Sequence, residues 1–64
     1  MINHITKFTN NAGKYHYQVF YNNGRKFTYR ENDNLPNTVL NLILNGTCET
    51  KYTAFGKVET YREA

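Results

Sequence analysis

The stretch YHYQVFYNNGRKFTYR, residues 15–30, decides the fold because its pattern predicts one β-hairpin with two chemically different faces. The NNG sequence at 22–24 is typical of a three-residue loop, a type I turn closed by a glycine in the left-handed region. This loop pairs Tyr21 with Arg25. A two-residue loop would shift the pairing by one residue and scatter aromatic and charged side chains over both faces.

In this register the two faces of the hairpin differ sharply in composition. The face expected to join the core carries Tyr15, Tyr17, Val19, Tyr21, Phe27 and Tyr29. The displayed face carries His16, Gln18, Phe20, Lys26, Thr28 and Arg30, with Arg25 close by at the turn. These seven residues are the candidate partner-binding site, because they set one exposed aromatic ring among cations.

A further strand precedes the hairpin. Residues 2–9 alternate with apolar side chains on both sides, which indicates a strand. The NNAG sequence at 10–13 is a turn signal between this strand and the hairpin. Together these segments predict a three-stranded antiparallel meander.

A short helix follows the meander. Pro36 suits the first turn of a helix, and Asn34 or Leu35 is the expected N-cap. Residues 37–45 carry a broad apolar stripe, and Gly46 is expected to end the helix as a left-handed C-cap. A helix of this length is unstable alone in water, so it is expected to pack on the aromatic face of the sheet.

The last segment, Glu49 to Arg62, alternates in two phases that meet at Gly56. It predicts one long strand with a bulge or bend at Gly56, favoured slightly over two short strands joined there. The predicted fold is therefore α+β: a single domain over residues 1–64, ordered β-β-β-α-β, with one short helix packed on one face of an antiparallel sheet.

The chain must build its core mainly from aromatic side chains. A domain of 64 residues buries only about 60% of the surface that its unfolded chain exposes. Six tyrosines and four phenylalanines are the largest apolar groups available. Because a buried phenol needs a hydrogen-bond partner or a route to water, most tyrosine hydroxyls are expected at the rim of the core.

Catalytic and metal chemistry lack a recognisable set of residues. Cys48 is the single cysteine, which excludes an internal disulfide and a cysteine-based structural zinc site. It is expected to be a small buried residue just after the helix. His4 and His16 lie on predicted strands without an orienting third group, and the carboxylates are scattered. We therefore expect a protein that is not an enzyme and that uses no cofactor and no metal.

Composition places the chain in a broad class. The sequence has no apolar run long enough to span a membrane and no signal-peptide pattern at its first residues, so a cytoplasmic protein is expected. Its formal net charge of +3 permits nucleic-acid binding without requiring it. Ten asparagines and no tryptophan indicate A/T-rich coding, as in a low-GC genome such as that of a bacteriophage or an AT-rich bacterium, and this composition suits a phage or mobile-element protein.

The run VFYNNGRKFTY at 19–29, followed by Pro36, Val39, Leu44 and Phe55, resembles the KTSC domain. The shared features are a strand, a glycine turn, a tyrosine strand, a proline-led helix and a final strand. The interval from Tyr29 to Pro36 is longer here, and the serine and small-residue pattern after the helix is missing. The resemblance therefore implies the order of elements and no functional residue.

Function is expected to be binding. The first hypothesis is a small non-catalytic modulator or inhibitor, of phage or mobile-element type, that docks on a host protein in the host cytoplasm. The alternative is a single-stranded nucleic-acid (RNA or ssDNA) binding module that uses the same basic aromatic face. An unpaired sheet edge could also join two copies in a homodimer.

Overall fold

The computed structural model describes all 64 residues and contains one antiparallel sheet and one helix. The elements along the chain are β1 (Ile2–Asn10), β2 (Tyr15–Tyr21), β3 (Lys26–Arg30), α1 (Asn37–Asn45), β4 (Thr47–Thr53) and β5 (Gly56–Arg62). The strand order in the sheet is β3-β2-β1-β5-β4. This confirms the predicted α+β class, and it places β1 at the centre with β3 and β4 at the two edges.

The hairpin formed by β2 and β3 has the loop and the register that its sequence predicts. The Tyr21 N–H donates to the Arg25 carbonyl at 2.9 Å, and the Gly24 N–H donates to the Tyr21 carbonyl at 3.0 Å. Gly24 has a φ of 87°, in the left-handed region. Val19 consequently lies opposite Phe27, so the two faces of the hairpin separate as expected.

The last segment is a hairpin, and the prediction of one long strand is wrong. Thr53 pairs with Gly56, and two residues turn the chain between β4 and β5. The Thr53 hydroxyl donates to the Gly56 carbonyl at 3.1 Å and accepts the Phe55 N–H at 3.2 Å, which holds the turn. The central turn residues, Ala54 and Phe55, are not typical of turns, and the sequence pattern therefore hid this connection.

The centre of the core is aliphatic, which corrects the expectation of a mainly aromatic core. Ile5, Val19 and Val39 are the only fully buried residues, and they bring β1, β2 and α1 together. The side chains packed around them are only partly buried: Ile2, Tyr17, Tyr21, Tyr29, Leu35, Leu42, Ile43 and Tyr61. The rim position expected for the tyrosines is confirmed for these four. Phe27, expected in the core, is 49% exposed because the nine-residue α1 does not reach over β3.

Both ends of α1 differ from the prediction. Pro36 is the N-cap, with ψ at 152° and no side-chain hydrogen bond, so the predicted N-cap at Asn34 or Leu35 is wrong. The Pro36 carbonyl accepts the N–H groups of Val39 and Leu40, each at 3.0 Å. No helix of this protein is long and apolar enough to cross a membrane.

Gly46 ends α1 in extended backbone, with φ at −82° and ψ at 176°, and the predicted left-handed cap is wrong. Gly46 is the single residue between α1 and β4, and its extended backbone leads directly into the strand. A side chain at position 46 would collide with the carbonyl oxygens of Arg62 and Leu42. Glycine is therefore needed here for close packing and not for its φ angle.

Cys48 is exposed, which corrects the prediction that it is buried. It lies on β4, opposite Tyr61 of β5. β4 is an edge strand, and all seven of its residues are exposed. The helix therefore leaves this edge of the sheet uncovered.

Candidate functional site

The face of the sheet opposite α1, here called the open face, is built from every second residue of all five strands. Directly paired residues share a face, so the strand registers define rows that run across the sheet. The Phe20 row contains Lys26, Phe20 and His4. The Gln18 row contains Thr28, Gln18, Thr6, Thr60 and Glu49. The Phe8 row contains Arg30, His16, Phe8, Val58 and Lys51.

The Phe20 ring lies between two side chains of its own row. The His4 ring stacks on it with a centroid separation of 4.5 Å and an interplanar angle of 13°. Lys26, from the strand on the other side, places its Nζ 5.9 Å from the Phe20 ring centroid. Because a neighbour flanks Phe20 on each side, the ring presents its edge to the exterior.

The Phe8 row has an apolar centre and a cation at each end. The Phe8 and His16 rings are 5.8 Å apart and tilted by 44°. Val58 lies opposite Phe8 on the neighbouring strand. Arg30 on β3 and Lys51 on β4 end the row at the two edges of the sheet. The arrangement suits contact with a surface that is apolar at its centre and acidic at its margins.

The open face carries the entire net charge of the protein. The side chains on this face include four cations, Lys26, Arg30, Lys51 and Arg62, and one carboxylate, Glu49, which gives a net charge of +3. The remaining four cations of the chain are balanced by four carboxylates on the helix side, in the loops and near the C-terminus. Electrostatic attraction toward an anionic partner therefore comes from this face.

Six of the seven residues proposed from the sequence lie together on the open face: His16, Gln18, Phe20, Lys26, Thr28 and Arg30. Arg25 lies in the exposed loop beyond them, and its backbone pairs with Tyr21. Tyr21 packs toward the helix side, so Arg25 is placed at the end of the hairpin and outside the three rows. A binding role for these seven residues stays a prediction.

The sequence pattern missed the part of the open face that lies on β1, β4 and β5. His4 and Phe8 alternate with Ile5, and apolar residues on both sides of this strand left the choice of face open. Val58 and Lys51 could be placed only once β4 and β5 were separate strands. The sequence signal for two separate strands is the change in the phase of alternation at Gly56, with residues typical of strands on either side of it.

His4 is the titratable group of the open face with a displaced pKa. Partial burial lowers the pKa of its imidazole below the ordinary value of 6.5, and the nearby Arg62 guanidinium lowers it further. Its Nδ1 lies 2.7 Å from Asn3 Oδ1. At neutral pH the ring is therefore uncharged, which suits its stacking on Phe20.

This displaced pKa predicts that the protein loses stability as the pH falls below about 6.5, because the unfolded chain then binds a proton that folded His4 resists. The loss ends once the pH has passed below the lowered pKa of the folded state. His4→Asn should reduce the difference between urea midpoints measured at about pH 7.5 and about pH 5.5. His16→Asn is the matched control. An unchanged difference in His4→Asn would contradict the assignment.

The helix side of the sheet carries a different kind of chemistry. Lys7 Nζ lies 4.4 Å from the Tyr15 ring centroid and 5.5 Å from that of Tyr17. Burial raises the pKa of the Tyr61 hydroxyl, and the nearby Glu59 and Cys48 raise it further. Lys57 pairs with Glu59 at 3.7 Å. Lys7, Lys57 and Glu59, the charged side chains on this side, thus have partners within the molecule.

Nowhere do three His, Cys, Asp or Glu side chains lie together in an arrangement that could hold a metal ion. His4 and His16 belong to different rows of the open face. The open face instead offers ring edges, hydroxyls and cations. Comparison with protein-family models, with curated proteins and with solved structures finds no match to this chain.

Proposed function

We propose that this chain is a non-catalytic binding protein whose open face docks on an acidic surface of a partner protein. The observation that carries the proposal is the segregation of charge: the net charge of +3 lies on the face that no other element covers. Rings from Phe20 and Phe8 lie among these cations. Aromatic residues and arginine are the types enriched at protein interfaces, where they act as anchors.

The state of the Phe20 ring favours a protein over a nucleic acid as the partner. Proteins that bind single strands stack bases on free ring faces. His4 and Lys26 flank Phe20 on its two sides, so a base would have to displace one of them. A protein partner can use the outward ring edge and the cations without rearranging the row.

The partner is proposed to be a host protein in the host cytoplasm, with this chain acting as a modulator or inhibitor of phage or mobile-element type. Support for this narrower proposal comes from composition alone. The chain has ten asparagines and no tryptophan, a bias that A/T-rich coding produces. A small non-catalytic chain can alter a larger protein simply by covering its surface.

The experiment compares two double variants that remove the same charge from opposite faces. Lys26→Gln/Arg30→Gln removes two cations from the open face, while Lys7→Gln/Lys57→Gln removes two from the helix side. Each immobilised protein is incubated with a bacterial lysate, and the affinity for any stoichiometric partner is then measured with the purified pair. We expect the open-face variant to bind at least about tenfold more weakly and the control to bind like the wild type.

Equal retention of the partner by both variants would overturn the docking site. The nucleic-acid alternative has its own measurement, the fluorescence anisotropy of labelled mixed-sequence ssDNA and RNA. We expect no binding at low salt, roughly 20 mM, where phosphate contacts are strongest. Binding that weakens steeply with salt, and whose salt slope falls in Lys26→Gln/Arg30→Gln, would replace the protein partner with a single-stranded nucleic acid.

A further inference from the structure

We propose that two copies of this chain associate edge to edge through β4, antiparallel, with the two-fold axis at Thr50. β4 is an edge strand, all of its residues are exposed, and Tyr52 is 81% exposed. An uncovered edge of this length offers a row of unpaired backbone groups to another strand. The self-complementary sequence of β4 identifies that other strand as a second β4.

The backbone groups that β4 presents outward follow from the hydrogen-bond pattern of the sheet. In antiparallel pairs the residues alternate between those bonded to one neighbouring strand and those facing the other side. The Asn10 N–H donates to the Lys14 carbonyl, so even-numbered residues of β1 bond β2 and odd-numbered ones bond β5. Odd-numbered residues of β5 therefore bond β1, and even-numbered ones bond the odd-numbered residues of β4. This leaves the N–H and C=O groups of Cys48, Thr50 and Tyr52 facing away from β5, toward the exterior.

The side chains of β4 are complementary to a second copy in one register. With Thr50 opposite the partner's Thr50, Glu49 lies opposite the partner's Lys51, and Lys51 lies opposite the partner's Glu49. Directly opposed unlike charges stabilise an antiparallel pair. Within one chain Lys51 Nζ lies 3.8 Å from Glu49 Oε1. Both side chains are largely exposed, so both are available to a second copy. On the helix side, Cys48 meets the partner's Tyr52 and covers part of its exposed ring.

Neighbouring registers and the other edge of the sheet lack this complementarity. A two-fold axis at Glu49 or at Lys51 would place that residue opposite its own copy, and like charges directly opposed are destabilising. At the other edge, β3 paired about its central Thr28 would place Lys26 opposite the partner's Arg30. The charge pattern therefore favours β4 with its axis at Thr50. The product is one continuous sheet with five strands from each copy.

A charge-swap series tests the register. Sedimentation velocity over a range of concentrations should show a reversible dimer of the wild type. Lys51→Glu places Glu opposite Glu twice, and we expect it to raise the dimer Kd at least about tenfold. The double variant Glu49→Lys/Lys51→Glu should restore the wild-type value. Lys14→Glu, which makes the same charge change in the β1–β2 turn, should leave the dimer intact.

Amide hydrogen exchange supplies a second readout. On dimerisation the amides of Cys48, Thr50 and Tyr52 should become protected, whereas those of Glu49 and Lys51 are already bonded to β5 at low concentration. A wild type that stays monomeric up to its solubility limit would overturn the proposal. So would a double variant that fails to restore dimerisation, or protection that arises on β3 instead. The docking proposal is tested at Lys26 and Arg30 on β3, the opposite edge strand, and it survives each of these results.

Discussion

Ile5→Ala is expected to leave the protein largely unfolded in water. Ile5 is fully buried at the centre of the sheet, and only Val19 and Val39 share that environment. Truncating a buried isoleucine to alanine costs about 2–5 kcal/mol. A single core in a domain of this size rarely supplies more than about 3–5 kcal/mol of net stability, so the loss removes most or all of it. Urea denaturation followed by far-UV circular dichroism measures the free energy of unfolding of the wild type and shows the residual folded fraction of the variant.

Leu44→Ala is the matched control, because it removes aliphatic carbon from a side chain that is 77% exposed. We expect its free energy of unfolding to stay within about 0.5 kcal/mol of the wild type. If Ile5→Ala were no more destabilising than Leu44→Ala, the three-residue core would not be what holds the fold. Such a result would mean that most of the stability comes from the partly buried tyrosines that pack around the core.

The β2–β3 hairpin was predictable because local chemistry alone sets its register. Gly24 supplies a left-handed residue at little steric cost, and the Asn-Asn-Gly loop then pairs Tyr21 with Arg25. A register in a hairpin determines which side chains share a face. For this reason the open-face residues of β2 and β3 can be predicted from the sequence without any tertiary contact.

The remaining part of the fold depends on contacts between distant residues. Whether Ile5 or Phe8 faces the helix is settled by packing against Val19 and Val39, and both faces of β1 have apolar side chains. The turn at 54–55 is held by the Thr53 side chain and not by typical turn residues. The extended Gly46 arises from the close approach of Arg62, sixteen residues further along the chain. Patterns of local alternation carry none of this information.

The candidate site also contains some residues that local sequence predicts and others that depend on contacts between distant strands. Its β2 and β3 residues follow from the hairpin, whereas His4 stacks on Phe20 only because β1 lies beside β2 in that register. This stacking changes the functional argument, since it leaves Phe20 with a neighbour on each side. Phe20 is also only partly exposed, which corrects the expectation of an exposed ring and weakens the case for base stacking on it.

Gly56→Ala is expected to destabilise the protein by roughly 3 kcal/mol or more, since it combines backbone strain with a steric clash. Gly56 has a φ of 147°, a conformation that residues with a side chain rarely adopt. A Cβ atom at this position would also collide with the Thr9 carbonyl oxygen. Gly56 pairs with Asn10 of β1, so relieving the clash requires this end of β5 to move away from β1.

Gly24→Ala separates the cost of backbone strain from the cost of the steric clash. Gly24 also has a positive φ, 87°, but no atom lies within 4 Å of the site of an added Cβ. Its substitution by alanine should therefore cost only the backbone strain of a left-handed residue, about 1–2 kcal/mol of folding stability. Urea denaturation gives both free energies, and amide exchange at Lys57 and Glu59 reports whether β5 has moved away from β1. Equal costs at the two glycines would mean that the chain relieves the clash at Thr9 by a small shift, and that the close contact of β1 and β5 at this end contributes little to stability.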